Sequence, residues 1–498
     1  MRRRYPRGWL AGGWGSLASL ALVLGLSATP ASAKPPPPEG LCPQYRAGAS
    51  PALSQDAAAP RLAPGDQILL SGLASISHLL PREVWQNRRT FFFEGMRMEI
   101  GACHRRYPTA AFYAQATRDF AGRAHLDKQG NLEGYVAGLP FPPGDILPED
   151  KQAGVKWAWN AQERYRGGGP TGSFRLLDLP GRAGTPQTYK GNFFYIRTAH
   201  RADLAASEYQ VAEASKASFA AGGSFSDPMD ARGLAWRQIR PRDADQDYKE
   251  SDDTFIYVPE MRKSRRAAAA WSDGLYTPRY RTAGVLGGGG PVPFNMGGSR
   301  FAPGLHSIQP TAGLSIQATE DIRRGFTGLA IRPNAYRWKV LREQEVLALL
   351  DSKTIGWPVH GDRNYGPTGL SLAYDRWDVR WAVVLRGFAR REVDGVAAVT
   401  LWLDWQTRRP LYYITQRKNG MLLDIGILGY RFSGDRAEYP AFPGGERANV
   451  FDPVVAAFYY VPGGGSGWRR ESYDVRSLPR DPDDLRRLTS VNSLEHGH

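Results

Sequence analysis

The residue types that do chemistry are present in this chain, but their spacing fits no familiar catalytic or metal-binding device. Eight histidines are scattered, two of them (His496 and His498) in the C-terminal tail, and none stands in an H-x-x-x-H or carboxylate-linked metal spacing. Two cysteines exclude a thiolate metal cluster within one chain. Ser466 lies in a GGGSG run without the glycine two residues on that a nucleophile elbow requires. Gly167, Gly169 and Gly172 formally satisfy G-x-G-x-x-G, yet they follow a predicted helix and include Pro170, whereas the dinucleotide fingerprint follows a strand and opens a helix. Asp252-Asp253 and the pair Asp375 and Asp378 could in principle supply two carboxyls for acid–base work. Adjacent acids on a strand point to opposite faces, so Asp252-Asp253 reads better as a strand terminus or as partner to nearby bases. No catalytic motif is legible in these residues, and no metal-ligand spacing either.

Charge and aromatic rings carry more. The stretch Ser251 to Ala267, SDDTFIYVPEMRKSRRA, reads as a strand closing on Pro259 and then releasing Arg262, Lys263, Arg265 and Arg266, which must find water or an anion. These four bases are the candidate anion- or membrane-docking residues, with a solvated turn as the plain alternative. Asp375-Arg376-Trp377-Asp378-Val379-Arg380-Trp381 sets guanidinium groups beside indoles, suited to holding an anionic head, or else to a salt-bridged sheet edge.

Four arginines, an apolar run from Leu17 to Leu26 and Ala31-Ser32-Ala33 make residues 1–33 an expected cleaved signal peptide. Its removal lowers the net charge from +15 to +11, still basic enough to favour an anionic neighbour over nucleic acid, which an exported protein seldom meets. In an oxidising compartment Cys42 and Cys103 are the possible disulfide, with two unlinked thiols as the alternative.

The elements that must position these residues follow in order. Residues 34–66 are a Pro/Ala-rich arm, and 67–170 a mainly helical segment with helices expected at Pro81 to Asn87, Thr109 to Arg123 and Ala153 to Arg166, the last stopped by Gly167-Gly168-Gly169. Phe91-Phe92-Phe93 is read as core, contact with an apolar ligand being the alternative. Of Trp157 and Trp159, one is expected in the core and one at the periphery. From 171 to 475 short alternating runs predict antiparallel sheet: Phe174 to Leu179, Asn192 to Thr198, Leu234 to Ile239 and Thr254 to Val258 are strands, with a helix over Arg201 to Ala220. A Gly/Pro-rich loop fills 283–304. A meander of Ala382 to Leu385, Ala398 to Trp405, Leu411 to Gln416 and Met421 to Phe432 follows, with Asn419-Gly420 as a two-residue hairpin. Leu401 and Leu403 alternate with Trp402, so both sheet faces are apolar and both need covering. Residues 476–498 form a peripheral tail.

The order of the G-L-P-F-P turn from Gly138, the A-G-V-K-W-A-W-N-A-Q-E-R-Y-R-G helix, F-I-Y-V-P-E-M-R-K-S-R-R-A and L-W-L-D-W-Q-T-R-R-P-L-Y-Y-I resembles the exported family catalogued as domain of unknown function 1329, over about Ile68 to Gly434. The resemblance implies an α+β fold similar to outer-membrane lipoprotein-sorting (Lol-type) proteins: a large curved antiparallel sheet, a half-barrel, with helices packed on or inside its concave face. It also implies a carrier rather than an enzyme, and a possible envelope exporter as partner. Tyr257, Pro259, Arg262, Arg265 and Arg266 fall on the family's central motif, and Trp402, Asp404, Trp405, Pro410 and Tyr412 on its late one. On a concave sheet Tyr257, Trp402, Trp405 and Tyr412 would be the ligand-binding residues, shielding an acyl chain at about 0.8 kcal/mol per methylene. The expected function is a periplasmic carrier or chaperone for a lipid or other hydrophobic molecule, working without a cofactor, with lipoprotein or envelope-lipid trafficking as the process it would serve. An outer-membrane-associated interaction or scaffold protein is the alternative, and an envelope-polymer hydrolase a more distant one.

Overall fold

A computed structural model describes residues 36–46, 60–147, 149–179, 186–204, 216–259, 262–267, 275–277, 281–282, 316–317, 322–325, 330–354, 363–393, 395–439, 441, 445–447, 449–461, 467–477 and 482–496. The expected signal peptide, the whole Gly/Pro-rich loop at 283–304, residues 205–215 of the helix expected over Arg201 to Ala220, and Ser466 lie outside them.

The strands in chain order are β1 (Gln67–Ile68), β2 (Met98–Cys103), β3 (His125–Leu126), β4 (Leu132–Glu133), β5 (Thr171–Leu179), β6 (Gln187–Arg197), β7 (Ala217–Asp227), β8 (Ala235–Pro241), β9 (Asp253–Val258) and β10 (Lys263–Ala267). After four short strands, β11 (Leu275–Thr277), β12 (Arg281–Thr282), β13 (Ile316–Gln317) and β14 (Ile322–Gly325), come the long ones: β15 (Tyr336–Ala348), β16 (Arg376–Val393), β17 (Val396–Asp404), β18 (Pro410–Gln416), β19 (Leu422–Phe432), β20 (Phe451–Tyr460) and β21 (Trp468–Arg476). The helices are α1 (Arg82–Gln86), α2 (Arg88–Phe91), α3 (Ala111–Asp119), α4 (Ala153–Glu163) and α5 (Pro482–Thr489).

One 15-stranded sheet dominates, in the order β1-β2-β16-β17-β18-β19-β20-β21-β5-β6-β7-β8-β9-β10, with β15 branching from β16. Twisted open sheets of this many strands curl rather than stay flat, so the sheet is curved. All its pairings are antiparallel except β2 against the first residues of β16, before β17 begins its own pairing at Ala382. The sheet thus takes strands from both the helix-rich segment and the β-rich remainder, and the two share one core. Pro410 opens β18, where its missing N–H costs least, and Pro453 sits beside the register shift between β19 and β20.

Both faces are covered, as the alternation in β17 requires. Val384, Trp402, Tyr412, Ile414, Ile425 and Ile427 join one core with the 3-10 segment Leu70–Leu79 and with Phe91 and Phe92. Val383, Leu385, Leu401, Leu403 and Tyr413 face the other way, against α4. Helix α4 comes so close to β15 that a Cβ on Gly154 would lie 2.7 Å from the Trp338 carbonyl carbon.

Several expectations change. Trp157 and Trp159 are both buried, 4% and 0% exposed, because α4 is covered on more than one side: Trp159 Nε1 donates to the Gly130 carbonyl, while Trp157 meets Trp405. The helix ends at Glu163, before the glycines, because the guanidinium groups of Arg164 and Arg166 fold back on the carbonyls of Ala161 and Gln162 and satisfy the last turn. Ala217 to Ala220 belong to β7 rather than to a helix, since β6 and β8 both pair with them. The Asn419-Gly420 hairpin spans three residues: Gly420 N–H donates to the Arg417 carbonyl and Gly420 takes φ 80°, a turn followed by a left-handed glycine. The basic run is not released from the sheet; after Arg262 it continues as β10, the edge strand paired with β9, where charge discourages further pairing. In the tail, Leu485 and Leu494 are buried, so it is anchored on the body of the protein.

Candidate functional site

An amphiphilic cleft lies where the N-terminal segment covers the sheet. The run Leu70–Leu79 buries Leu73, Ile76 and Leu79 and leaves Leu70 half-exposed beside it. Pro81 then turns the chain into α1 and α2, which deliver Trp85, Arg88, Arg89 and the Phe triplet. Phe91 and Phe92 enter the core, Phe91 edge-on to Tyr459 at 6.3 Å and Phe92 at 6.3 Å from Trp377. Phe93 stays half-buried, 5.9 Å from Tyr374. Leu70, Leu73, Trp85, Phe92 and Phe93 line a cleft of about 460 Å³ in which Arg88 and Arg89 are the exposed charges. The Arg88 guanidinium lies 4.7 Å over the Trp85 ring and donates to the Trp85 carbonyl at 3.3 Å. Apolar walls beneath two cations suit a molecule with a greasy body and an anionic end. Sequence reasoning missed this site apart from the Phe triplet; the signal available was Arg88-Arg89, one residue before it.

The four aromatic residues expected to bind ligand are not gathered. Trp402 and Tyr412, 1% and 0% exposed, stand edge-on at 6.1 Å inside the packed core, with the Tyr412 hydroxyl bonded to the Leu347 carbonyl. Burial alone holds that phenol well above its usual titration range. Trp405 is half-buried on the opposite side, 6.3 Å from Trp157. Tyr257 is half-buried on β9, paired with Ser264 near the sheet edge. Arg262, Lys263 and Arg266 are exposed and Arg265 half-buried, with Arg266 bonded to Asp253. Cys42 and Cys103 form a disulfide, their Cα atoms 5.2 Å apart, which ties the N-terminal arm to β2.

The carboxylates considered for acid–base work are bound up in ion pairs. Asp252 is buried and accepts from Arg240 at 2.9 Å and Gln238 at 2.6 Å, with Arg332 at 3.4 Å; burial opposes ionisation, but these cations hold it below the usual carboxylate range. Asp375 pairs with Arg363, and Arg376 with Asp351 at 2.9 Å. Asp378 is different: burial pushes it up to about 7, although Ala102 N–H donates to it at 2.9 Å. A larger, polar cleft of about 1110 Å³ includes Tyr135, His200 and Asp245. Burial lowers His200 to about 4, with Nδ1 2.7 Å from the Val136 carbonyl, and raises Asp245 to about 7. Among the described residues no group of three or more potential ligands could hold a metal ion, and no helix is long and apolar enough to cross a membrane.

A search of curated proteins finds no match. Among solved structures, a domain of the outer membrane lipoprotein-sorting kind from Vibrio parahaemolyticus is 14% identical, covering 70% of this chain and 100% of its own, with a TM-score of 0.37. A DUF1329 family protein from Desulfovibrio piger is 12% identical, covering 66% and 92%, with a TM-score of 0.34. A LolA superfamily protein from Nitrosomonas europaea is 12% identical, covering 67% and 96%, with a TM-score of 0.32. Residues 85–283, from Trp85 of the cleft through the basic edge strand, match the model of the family described as Protein of unknown function (DUF1329), the family that the ordered motifs resemble.

Proposed function

We propose that the protein is a non-catalytic periplasmic carrier for an amphiphile, a lipid or similar hydrophobic molecule with an anionic end, and that the cleft under Leu70, Trp85 and Phe93 holds it. The observation that carries this reading is the pairing of apolar walls with Arg88 and Arg89 at one opening. Each buried methylene would add about 0.8 kcal/mol and the arginines would fix the polar end. The basic edge strand from Arg262 to Arg266 would serve as the membrane-docking surface at which cargo is taken up or released, each exposed charge adding about 1 kcal/mol near anionic lipid.

The test is native mass spectrometry of the mature protein purified from an envelope, followed by solvent extraction, with Ala74→Trp, at a residue that also lines the cleft, as the variant that fills it. A stoichiometric amphiphile that leaves with the solvent and is absent from the variant is the expected result. No bound amphiphile in the wild type, even after lipid is offered in excess, would sink the proposal. One observation favours the scaffold reading instead: Trp402 and Tyr412 are packed within the protein's own core, so the sheet spends that face on self-covering. An empty cleft in this experiment would select it.

A further inference from the structure

We propose a second binding site, for an oxyanion of the phosphoryl type, in the turn between β17 and β18 where it meets the end of α4. The pocket, about 320 Å³, is lined by Arg118, Arg164, Arg408 and Arg409 together with Tyr113 and Gln406, and among the described residues no carboxylate lines it. It shares no residue with the amphiphile cleft, so it goes beyond the carrier reading and stands or falls separately.

Arg408 is the centre of the argument. Its residue is 7% exposed, and among the described residues its Nε and Nη1 have no hydrogen-bond partner. The indoles of Trp157 and Trp405 each lie 5.1 Å from the guanidinium carbon and flank the side chain without satisfying its donors. The backbone is committed as well: Arg408 takes φ 62°, a conformation disfavoured outside glycine, held by its N–H to the Asp404 carbonyl at 2.9 Å. Arg409, 4% exposed, donates to the carbonyls of Thr407 and Tyr165 at 3.2 Å each and stacks 4.4 Å over Phe451. Arg164 approaches from the end of α4, and the exposed Arg118 on α3 stands at the opening.

The carboxylates around the pocket are engaged elsewhere. Asp404 accepts from Arg380 at 2.7 Å and Glu163 pairs with Arg197. Asp452 accepts from Ser477 at 2.6 Å and from Tyr439, and Glu446 accepts the Ala111 N–H. Burial draws Arg408 and Arg409 down to about 10, which still leaves both protonated at neutral pH. Asp404 acts on both arginines from a distance, but buried cations without a hydrogen-bonded counter-charge are costly, and planar guanidinium forks match a phosphoryl group's oxygens two at a time. The turn is also the part of the late sequence motif, Thr407-Arg408-Arg409-Pro410, that the carrier reading leaves without a role.

The experiment titrates the full mature chain with inorganic phosphate, and separately with dihexanoyl phosphatidate below its micelle concentration, by calorimetry at fixed ionic strength set with chloride. Saturable binding in the wild type, at least about tenfold weaker in Arg408→Gln and in Arg409→Gln, is expected from loss of one charge-assisted contact each. Unliganded Arg408→Gln should unfold at the same or a higher temperature than wild type, because a buried unpaired charge has gone. Arg118→Ala, at the exposed opening, keeps the test valid if the buried variants misfold and should weaken binding severalfold. Tighter binding of phosphatidate assigns the site to a lipid headgroup; equal or tighter binding of phosphate assigns it to the free ion. Wild-type protein that binds neither, or folded variants that all bind as wild type does, would overturn the proposal.

Discussion

Arg380 of β16 and Asp404 of β17 form an ion pair, Nε to Oδ2 2.7 Å, with both side chains almost wholly withdrawn from water. The carboxylate is also the hinge of the turn that follows, accepting the Thr407 N–H at 2.6 Å, so one buried charge couples the sheet to the pocket arginines. Asp404→Asn leaves Arg380 buried without its counter-charge and should destabilise the fold by about 3–5 kcal/mol. Urea denaturation measures it. The double variant Asp404→Leu with Arg380→Met should recover most of the loss; an additive or larger loss would show that the pair's charge is not the cause.

The contribution of Asp378 and Asp245 to stability should fall as pH rises from about 4 to about 7, opposed in part by His200, whose folded pKa near 4 makes its own contribution rise with pH in that window. Asp378 and Asp245 are both raised by burial to about 7, above the unfolded carboxylate, so the folded state holds more protons across that window and deprotonation opposes folding. The full favourable contribution is present below the unfolded pKa and is gone above about 7. Asp378→Asn should flatten part of the slope, a few kcal/mol at most, in denaturation curves taken at pH 5 and pH 8.

The Cys42–Cys103 disulfide closes a loop with a sequence separation of 61 residues. Replacing both cysteines by serine should cost about 4 kcal/mol through the greater freedom of the unfolded chain, near the upper part of the usual range. Thermal unfolding with and without a reductant gives the same quantity independently, since reduction should lower the wild-type midpoint and leave the serine variant unmoved.

Gly154→Ala tests how closely α4 approaches β15. Helix propensity alone favours alanine by about 1 kcal/mol. The new Cβ would instead meet the Trp338 backbone at 2.7 Å, and backbone cannot swing aside, so a net loss of about 1–3 kcal/mol is expected. An unchanged or raised unfolding temperature would show that the helix lies further from the strand.

Replacing Arg262, Lys263, Arg265 and Arg266 by serine should weaken binding to vesicles containing phosphatidylglycerol, and salt should abolish the difference, because exposed charges are screened. Circular dichroism should stay the same. Vesicle binding equal to wild type would remove the docking role of the edge strand.

How far the sequence determined this protein follows from the range of the interactions involved. Period-two alternation is local, so Thr254 to Val258 and the meander strands were legible directly. The opposite facing of Leu403 and Trp402 followed from it, and the structure places them in separate cores. The ordered motifs carried the family resemblance for the same reason. The sequence could not tell that Ala217 to Ala220 would be strand, because their neighbours β6 and β8 decide it. Nor could it assign Trp402 and Tyr412 to a packed core rather than a ligand surface, since that depends on where the Leu70–Leu79 segment folds back. The cleft joins Leu70 and Phe93 to Pro367, and the arginine pocket joins Arg118 to Arg408. Such sites are made by contacts between residues hundreds of positions apart, a property of tertiary packing that no local pattern contains.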